Sequence, residues 1–510
     1  MEREVLWDIP QSWTWATISD LGEVVGGGTP PTKEPTYWGG DINWISPADL
    51  TGHTKKIISK GSKSITEDGL KNSSARVMPA GSVHFSSRAP IGYVVISTEP
   101  MATNQGFKNL VPEQGIFNEF VYYYLKASKQ LAEKRASGTT FLELSGKAFG
   151  LLPIPLPPSN EQKRIVAKIE ELFSELDNGI AALKTAREQL KVYRQAVLKH
   201  AFEGKLTAQW RKDNAHKLES PEQLLARIQQ EREARYQQQL EKWKAAVKAW
   251  EDGGKEGKKP SKPSKLSEIK PASTTDFDTP AEWTVSELGL IAYENVLGKM
   301  LDRKKNIGEE RPYLGNINVR WGAFEIDELK TMRIEESEVD RYSLRFGDLV
   351  ICEGGEPGRC AVWSSNNDKF FIQKALHRVR FTQSYLPEFA FYYFSYAVSL
   401  ERVVKHFTGT TIKHLTGSGL SKVQLPVCSV AEQKEIINIV ESNLTNIDTL
   451  TTELDIQLAK AEALRQSILK KAFSGQLVPQ DPSEEPASEL LARIQAERNA
   501  KKTSNTRKVK

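Results

Sequence analysis

Cysteine is scarce in this chain. There are three in 510 residues, Cys352, Cys360 and Cys428, and none forms a C-x-x-C pair. That excludes a disulfide framework, argues against a zinc site and points to the cytoplasm as the compartment. Long hydrophobic runs are missing too. No stretch approaches the ~20 apolar residues a membrane span needs, and the richest, Phe389–Leu400, is short and interrupted by Tyr and Ser. The opening MEREVLWDIP has neither a basic start nor an apolar run, so no signal peptide is expected. Charge of one sign is weak: 70 Lys and Arg against 65 Asp and Glu leave +5. Such a balance permits nucleic-acid binding without demanding it.

Catalytic signatures are lacking as well. No G-x-x-x-x-G-K-[ST] loop occurs, so ATP hydrolysis is not expected. No [DNS]-P-P-[YFW] tetrapeptide, the device with which DNA amino-methyltransferases hold a flipped base, is present. The Pro-Pro pairs stand in Thr29-Pro-Pro-Thr32 and Leu156-Pro-Pro-Ser159. No Pro-Asp dipeptide precedes an acid-x-Lys; Glu328-Leu-Lys330 stands alone. H-E-x-x-H is absent, and the seven histidines are scattered. No catalytic residue, metal ligand or cofactor of its own is therefore expected, and a binding subunit is favoured over an enzyme.

What the chain does have is an internal repeat. Pro10-Gln-Ser-Trp13 returns as Pro280-Ala-Glu-Trp283. Gly138-Thr-Thr140 returns as Gly409-Thr-Thr411, and Glu161-Gln-Lys163 as Glu432-Gln-Lys434. Asp177 returns as Asp448, and the run ending Ala201-Phe-Glu-Gly204 as Ala472-Phe-Ser-Gly475. Leu224–Gln229 returns as Leu490–Gln495. From Gly138 to Gly204 the shift is a constant 271 residues (409 − 138). The middles, roughly 23–137 and 290–408, hardly match. Either they drifted, or one part must stay alike while the other must differ.

After Pro157-Pro-Ser159 the apolar period becomes helical. Ile169, Leu176, Leu183, Leu190 and Val197 are seven apart, and the second copy repeats them as Val440, Ile447, Leu454, Ala461 and Ile468. A second column three residues on reads Leu172, Ala186 and Tyr193, then Asn443, Leu450, Gln457, Leu464 and Lys471. This predicts two helices of about 40 residues pairing as an antiparallel coiled coil, which makes the tandem repeat a pseudo-twofold object. Gly204 and Gly475 close the helices. Ser220-Pro221 opens another, with Leu240, Trp243, Val247 and Trp250 on one face. Gly253–Lys265 reads as a flexible basic linker, and Ala500–Lys510 as a disordered basic tail.

The middles show short β-type runs, at 82–85, 92–96, 348–352 and 361–363, followed by helical patches at 119–128 and 388–398. The fold class is α+β: two α/β modules joined by the paired helices. The expected divisions are 1–157, 158–204, 205–275, 276–428, 429–475 and 476–510. In the first module, Gly26–Lys33 and Tyr37–Trp44 form a Gly-rich, Thr- and Lys-bearing loop beside aromatics. It suits phosphates and base edges, and it also fits a loop pinned by core tryptophans; Trp44 is taken as core. The Gly-Thr-Thr turns suit phosphates or are shared structural turns. The candidate DNA contacts are Thr29, Thr32, Lys33, Tyr37, Trp38, Arg88, Arg135, Thr139 and Thr140. In the second module they are Arg303, Lys304, Asn316, Arg320, Arg359, Thr410, Thr411 and Lys413.

The Gly-Gly-Thr-Pro … Tyr-Trp-Gly-Gly-Asp-Ile-Asn-Trp block (27–44), together with the Pro-x-x-Trp pairs, the Gly-Thr-Thr turns, the Glu-Gln-Lys entries and the Ala-Phe-x-Gly exits, these four in the same order twice over, resemble the specificity subunits of type I restriction–modification systems. The resemblance spans about residues 5–480. It implies two target-recognition domains, each reading half of a split DNA site, with the helices as spacer. It implies double-stranded DNA, two methyltransferase subunits and restriction/translocase subunits as partners, which would hold S-adenosylmethionine, ATP and Mg²⁺. The second module departs from the pattern by lacking Gly-Gly-Thr-Pro. A self-contained DNA modification enzyme and a coiled-coil protein without a DNA role remain the alternatives.

Overall fold

Both copies open on the same ladder. Thr14–Thr17 pairs antiparallel with Pro153–Leu156, and Thr284–Glu287 with Gln424–Val427. The computed structural model describes residues 6–508 except 89, 139–141, 257, 258, 274, 276, 277, 303 and 368, and only the backbone of 501–508. Two units emerge, 1–185 with 454–510, and 186–453. Each long helix, Ser159–Phe202 and Val430–Phe473, therefore contributes to both units.

The middles, so unlike in sequence, share one topology. In the first unit the strands Gly22–Gly26, Phe107–Pro112, Val83–Ser86, Val94–Ser97 and Ile57–Ile58 lie in that order in one sheet. In the second, Ala292–Leu297, Leu376–Phe381, Leu349–Cys352 and Cys360–Val362 take the first four places. A three-stranded sheet accompanies each. Trp38–Ile45 runs antiparallel to Lys63–Ile65 and parallel to Met101–Thr103; Glu309–Leu314 does the same with Lys330–Ile334 and Phe371–Ile372. Central strands such as Val83–Ser86 and Leu349–Cys352 are buried along their whole length. Leu349–Cys352 accordingly reads as an unbroken apolar run, whereas Val83–Ser86 carries His84 and Ser86 among its buried residues.

In the first unit the start of one long helix (Ile165, Val166, Ile169) shares a core with the end of the other (Ile468, Leu469, Phe473). In the second unit the end of the first (Val197, Leu198, Phe202) shares a core with the start of the second (Ile436, Ile437, Val440). In each unit the helices thus pair antiparallel. Ile169, Val197, Val440, Ile447 and Ile468 are buried; Leu176, Leu183, Leu190, Leu454 and Ala461 are half-buried. The second column corrects the sequence reading. It falls four residues on, not three: Phe173, Ile180, Arg187 and Arg194, then Leu444, Thr451, Leu458 and Arg465, are buried or half-buried. Tyr193, Leu450, Gln457, Leu464 and Lys471 are exposed. Arg194 in this column pairs with Asp448, and its counterpart Arg465 pairs with Asp177. The repeated Asp is thereby explained as a register tie, one in each unit.

The repeated motifs meet crosswise. Gly475 ends its helix at φ +72° with Pro10 against it, and Gly204 ends the other at φ +67° with Pro280 against it. A Cβ on either glycine would stand 2.2 Å from a proline Cγ. The Glu-Gln entries are internal staples. Gln162 accepts the Phe117 amide at 2.7 Å, and Gln433 accepts the Leu386 amide at 2.8 Å.

Two further readings are corrected. Within 205–275, the helix Pro221–Asp252 buries Leu224, Leu225 and Ile228 in the second unit's core, and the chain after it is not free. At the C-terminus, Ala487–Lys508 is helical and buries Leu490, Leu491 and Ile494 in the first unit.

Each sheet carries a buried histidine. His84 is fully buried, its Nδ1 2.9 Å from Asn109 Oδ1, and burial pushes its pKa down to about 4. Burial likewise lowers His377. A histidine depressed in the fold binds its proton more readily when unfolded. Stability is therefore full above the unfolded pKa near 6.5 and falls as pH drops from there toward about 4. Thermal melts between pH 7 and 4 should show this loss, and His84→Gln should flatten it; an equally steep loss in the variant would count against the assignment.

Candidate nucleic-acid interface

The first strand of the first unit's large sheet, Gly22–Gly26, delivers the chain onto a turn. The Gly27 amide donates to Phe107 O at 3.2 Å, and the Gly28 amide to Thr103 O at 2.8 Å. A Cβ on Gly27 would lie 1.9 Å from Asn104 O, and one on Gly28 2.2 Å from the Ala75 nitrogen. Only glycine permits this approach. Thr29 is thereby seated on the turn Asn104-Gln105-Gly106: Asn104 Nδ2 donates to its hydroxyl at 2.7 Å, and that hydroxyl donates to the Gln105 carboxamide. Trp44 pins the loop from below, its Nε1 donating to Gly28 O at 2.9 Å while its ring is buried.

Cations ring this turn. Arg88 stands 3.6 Å and Lys108 3.2 Å from Glu143, and Lys108 also donates to Gln105 O. Glu143 closes a hairpin with Ser137, joined by backbone hydrogen bonds of 2.9 and 3.1 Å. Gly138 follows Ser137 there; Thr139 and Thr140 lie outside the described residues. Thr29 and Arg88 thus come to the Ser137–Glu143 pair around one amide-bearing turn. Thr32 and Lys33 are exposed farther along the loop, and Tyr37 and Trp38 are half-buried. Trp38 packs edge-on to Trp44 at 5.1 Å, donates to Pro31 O at 3.3 Å, and has Lys63 Nζ 5.5 Å above its ring. Arg135 does not join the group in the same way: its Nη1 donates to Leu151 O at 2.9 Å.

The second unit keeps the platform although the Gly-Gly-Thr-Pro string is gone. The Gly298 amide donates to Leu376 O at 2.9 Å, and the Lys299 amide to Ile372 O at 3.0 Å. The turn beneath is Gln373-Lys374-Ala375, and a Cβ on Gly298 would meet Gln373 O at 2.4 Å. Gly27 and Gly298 are themselves 271 apart (298 − 27). Lys299, which replaces Gly28, turns its ammonium inward to Glu338. Asn316 lies beside this platform; its carbonyl accepts from Arg359 Nη2 at 2.8 Å. Thr408 and His414 close the matching hairpin at 2.8 and 2.9 Å, with Thr410, Thr411 and Lys413 exposed at its tip. Arg320 is engaged bidentately by Glu325 at 2.9 and 2.8 Å, and Arg359 also pairs with Glu356 at 2.7 Å. Lys304 is exposed, and Arg303 lies outside the described residues.

Sequence reasoning missed Asn104, Gln105, Gln373 and Lys374. The available signal was a three-residue amide-bearing turn between two apolar runs, at nearly the repeat shift in both copies. Chemically each platform, within its own unit, offers hydroxyls, carboxamides and cations, the groups that engage phosphates and base edges. Among the described residues no cluster of three or more His, Cys, Asp or Glu could hold a metal ion, and no helix is long and apolar enough to cross a membrane.

Comparison with known proteins follows the same division. Residues 10–185 and 280–460 match the family described as the type I restriction modification DNA specificity domain. Over 519 aligned residues, 96% of this chain and 97% of the relative, the chain is 25% identical to the EcoKI specificity subunit of Escherichia coli K12. It is 40% identical over 196 residues to the MjaIX specificity subunit of Methanocaldococcus jannaschii, a match that covers 38% of this chain and 44% of that one. Among solved structures, the HsdS subunit of Thermoanaerobacter tengcongensis has the same fold, with a TM-score of 0.56 at 17% identity over 93% of this chain and 99% of that one. A chain from a study of complex assembly in a type I R-M system reaches 0.61 at 17% identity, over 92% of this chain and 100% of that one.

Proposed function

The chain belongs to the type I restriction–modification DNA specificity family, and from that premise we propose that it is the sequence-reading, non-catalytic subunit of such a complex. Each middle reads one half of a bipartite, asymmetric site. The observation that carries this reading is the duplicated platform: an equivalent glycine holds an equivalent turn in both units, while the side chains on it differ, Asn104-Gln105 against Gln373-Lys374. One backbone serves two chemistries, which two different half-sites require. The paired helices, 44 residues each and about 66 Å long, set the spacing, with Arg194–Asp448 and Arg465–Asp177 holding register. Two methyltransferase subunits and restriction/translocase subunits in the cytoplasm supply the chemistry, along with S-adenosylmethionine, ATP and Mg²⁺.

The test is a half-by-half comparison in the assembled complex. Gln105→Ala should relax base preference in one half-site by about 1–3 kcal/mol and leave the other unchanged; Gln373→Ala should do the converse. Lys33→Ala should weaken binding to all sequences alike and lower the salt slope by about 1. Relaxation of both halves by one glutamine variant, or of neither, would overturn the assignment of the turns.

A further inference from the structure

The helix Pro221–Asp252 has no counterpart of its length in the other unit, where the repeated Leu490–Gln495 begins a shorter, 22-residue helix. Its first turns are anchored. Leu224, Leu225 and Ile228 are buried, Glu231 accepts the Ser384 hydroxyl at 2.7 Å, and the Arg235 guanidinium lies 4.0 Å over the Tyr293 ring. Beyond that, one face stays half-buried at Tyr236, Leu240, Trp243, Val247 and Trp250. The cover is the returning chain. Pro260, Pro263, Leu266 and Ile269 are the protected residues of that segment, and they recur every third position. Three is the period of a polyproline II strand. Trp243 Nε1 donates to Pro260 O at 3.0 Å, and Arg232 to Ser267 O at 3.1 Å, fastening strand to helix.

The same period sets the outward face. Lys259, Lys262 and Lys265 are all exposed and stand about 9 Å apart at ~3.1 Å per residue. Lys242, Lys244 and Lys248 are exposed on the helix alongside. Between 242 and 265 there are eight lysines against three acidic residues, a balance of +5 (8 − 3). The remaining 62 basic and 62 acidic side chains of the chain (70 − 8 and 65 − 3) cancel. The outer part of the arm, 242–265, thus carries as much net charge as the whole protein. Its foot at Tyr293 is joined by one strand, Ala292–Leu297, to the Gly298 platform, about 17 Å at ~3.4 Å per residue. That is about half a turn of duplex.

We propose that this helix-and-return arm is a second, sequence-independent DNA contact that grips phosphates of the duplex beside the half-site read by the second unit. The inference rests on the DNA-reading function proposed above. Lysine fits such a contact, being a compact charge on a flexible stem that meets phosphate without the planar, base-matching fork of arginine. The Trp243 and Trp250 stripe holds the return strand, with the Lys262 ammonium 5.7 Å over the Trp243 ring and the Lys259 ammonium 5.8 Å over that of Trp250, so these exposed lysines keep a fixed spacing rather than scattering on a loose tether.

The test compares the assembled complex with its triple variant Lys259→Gln, Lys262→Gln, Lys265→Gln. Binding is followed against salt on a duplex extending about two helical turns past the site and on one ending at the site. Loss of three phosphate contacts should lower the salt slope by about 2.7 on the long duplex, so that a fourfold rise in salt weakens the variant about 40-fold less than the parent. The short duplex should show little difference, cognate preference should be unchanged, and the matching Lys→Arg triple should keep the parental slope. An unchanged slope on the long duplex overturns the arm as a DNA contact, including when the variant instead assembles poorly with its partner subunits. Absence of cognate preference in the parent would refute the reading function alone; the slope difference on the long duplex would still decide the arm.

Discussion

Glu432→Ala is expected to cost the second unit about 3–5 kcal/mol, the range for breaking a buried ion pair from one side. Glu432 is 1% exposed and accepts from three directions: the Arg211 guanidinium, the Thr207 hydroxyl at 2.7 Å and the Trp283 indole at 2.9 Å. Removing it leaves a guanidinium that is itself 7% exposed with the half-exposed Glu282, 3.4 Å away, as its remaining acidic partner. The repeat supplies the control. Glu161 holds the equivalent place in the first unit, but there Gln480 stands in for Arg211: its amide donates to Glu161 at 2.8 Å and to Gly475 O at 3.2 Å, as Arg211 donates to Gly204 O at 2.7 Å. With a neutral donor as its hydrogen-bonded partner, Glu161 is pushed above the usual carboxylate range by burial. Glu161→Ala therefore leaves an unpaired amide rather than an unpaired charge, a cost of about 1–3 kcal/mol. Urea midpoints of the two variants would check the difference; equal losses would mean that Arg211 contributes nothing beyond a hydrogen bond.

Gly27→Ala and Gly298→Ala should each destroy reading of one half-site while sparing the other. The obstacle is space, not backbone conformation, since the new Cβ would lie 1.9 or 2.4 Å from a carbonyl oxygen of the turn beneath. The turn has to move, at a cost to stability of about 1–3 kcal/mol. Its amide side chains move with it, and loss of a bidentate base contact near 3 kcal/mol corresponds to about 150-fold in preference. Gly26→Ala is the adjacent control, because nothing lies within 4 Å of its added Cβ. Methylation or binding assays on duplexes altered in one half at a time would show the effect. Normal discrimination by Gly27→Ala would mean that the turn does not read DNA.

The long helices were legible because a seven-residue apolar period survives in both copies, and the motifs at their ends because they recur in order. The second helix column was misplaced because Leu172, Tyr193, Leu450 and Leu464 are apolar although most of that column is exposed. The true column holds Arg187, Arg194, Thr451 and Arg465; Arg194 and Arg465 lie in the seam by virtue of long stems and reciprocal aspartates, and Thr451 turns its hydroxyl back to Ile447 O. The shared topology of the middles was not legible. Val83–Ser86 (with His84 bonded to Asn109) and the wholly apolar Leu349–Cys352 keep their place in the sheet without keeping a residue in common. Of the two platforms, the first was found through its Gly-Thr-Pro loop. The second was overlooked because a single glycine, Gly298, is all the backbone demands. The lysine-rich return reads as a flexible linker on composition, although Pro260, Pro263, Leu266 and Ile269 carry a period of three.

The central claim is that one chain reads two unlike half-sites through two equivalent platforms. It is tested most directly by mapping methylated bases across the host genome with the gene intact, deleted, and carrying Gly298→Ala. Deletion should erase one bipartite, asymmetric motif, and the variant should leave the half-site read by the first unit recognisable while losing the other. Retention of every methylated motif after deletion would contradict the claim.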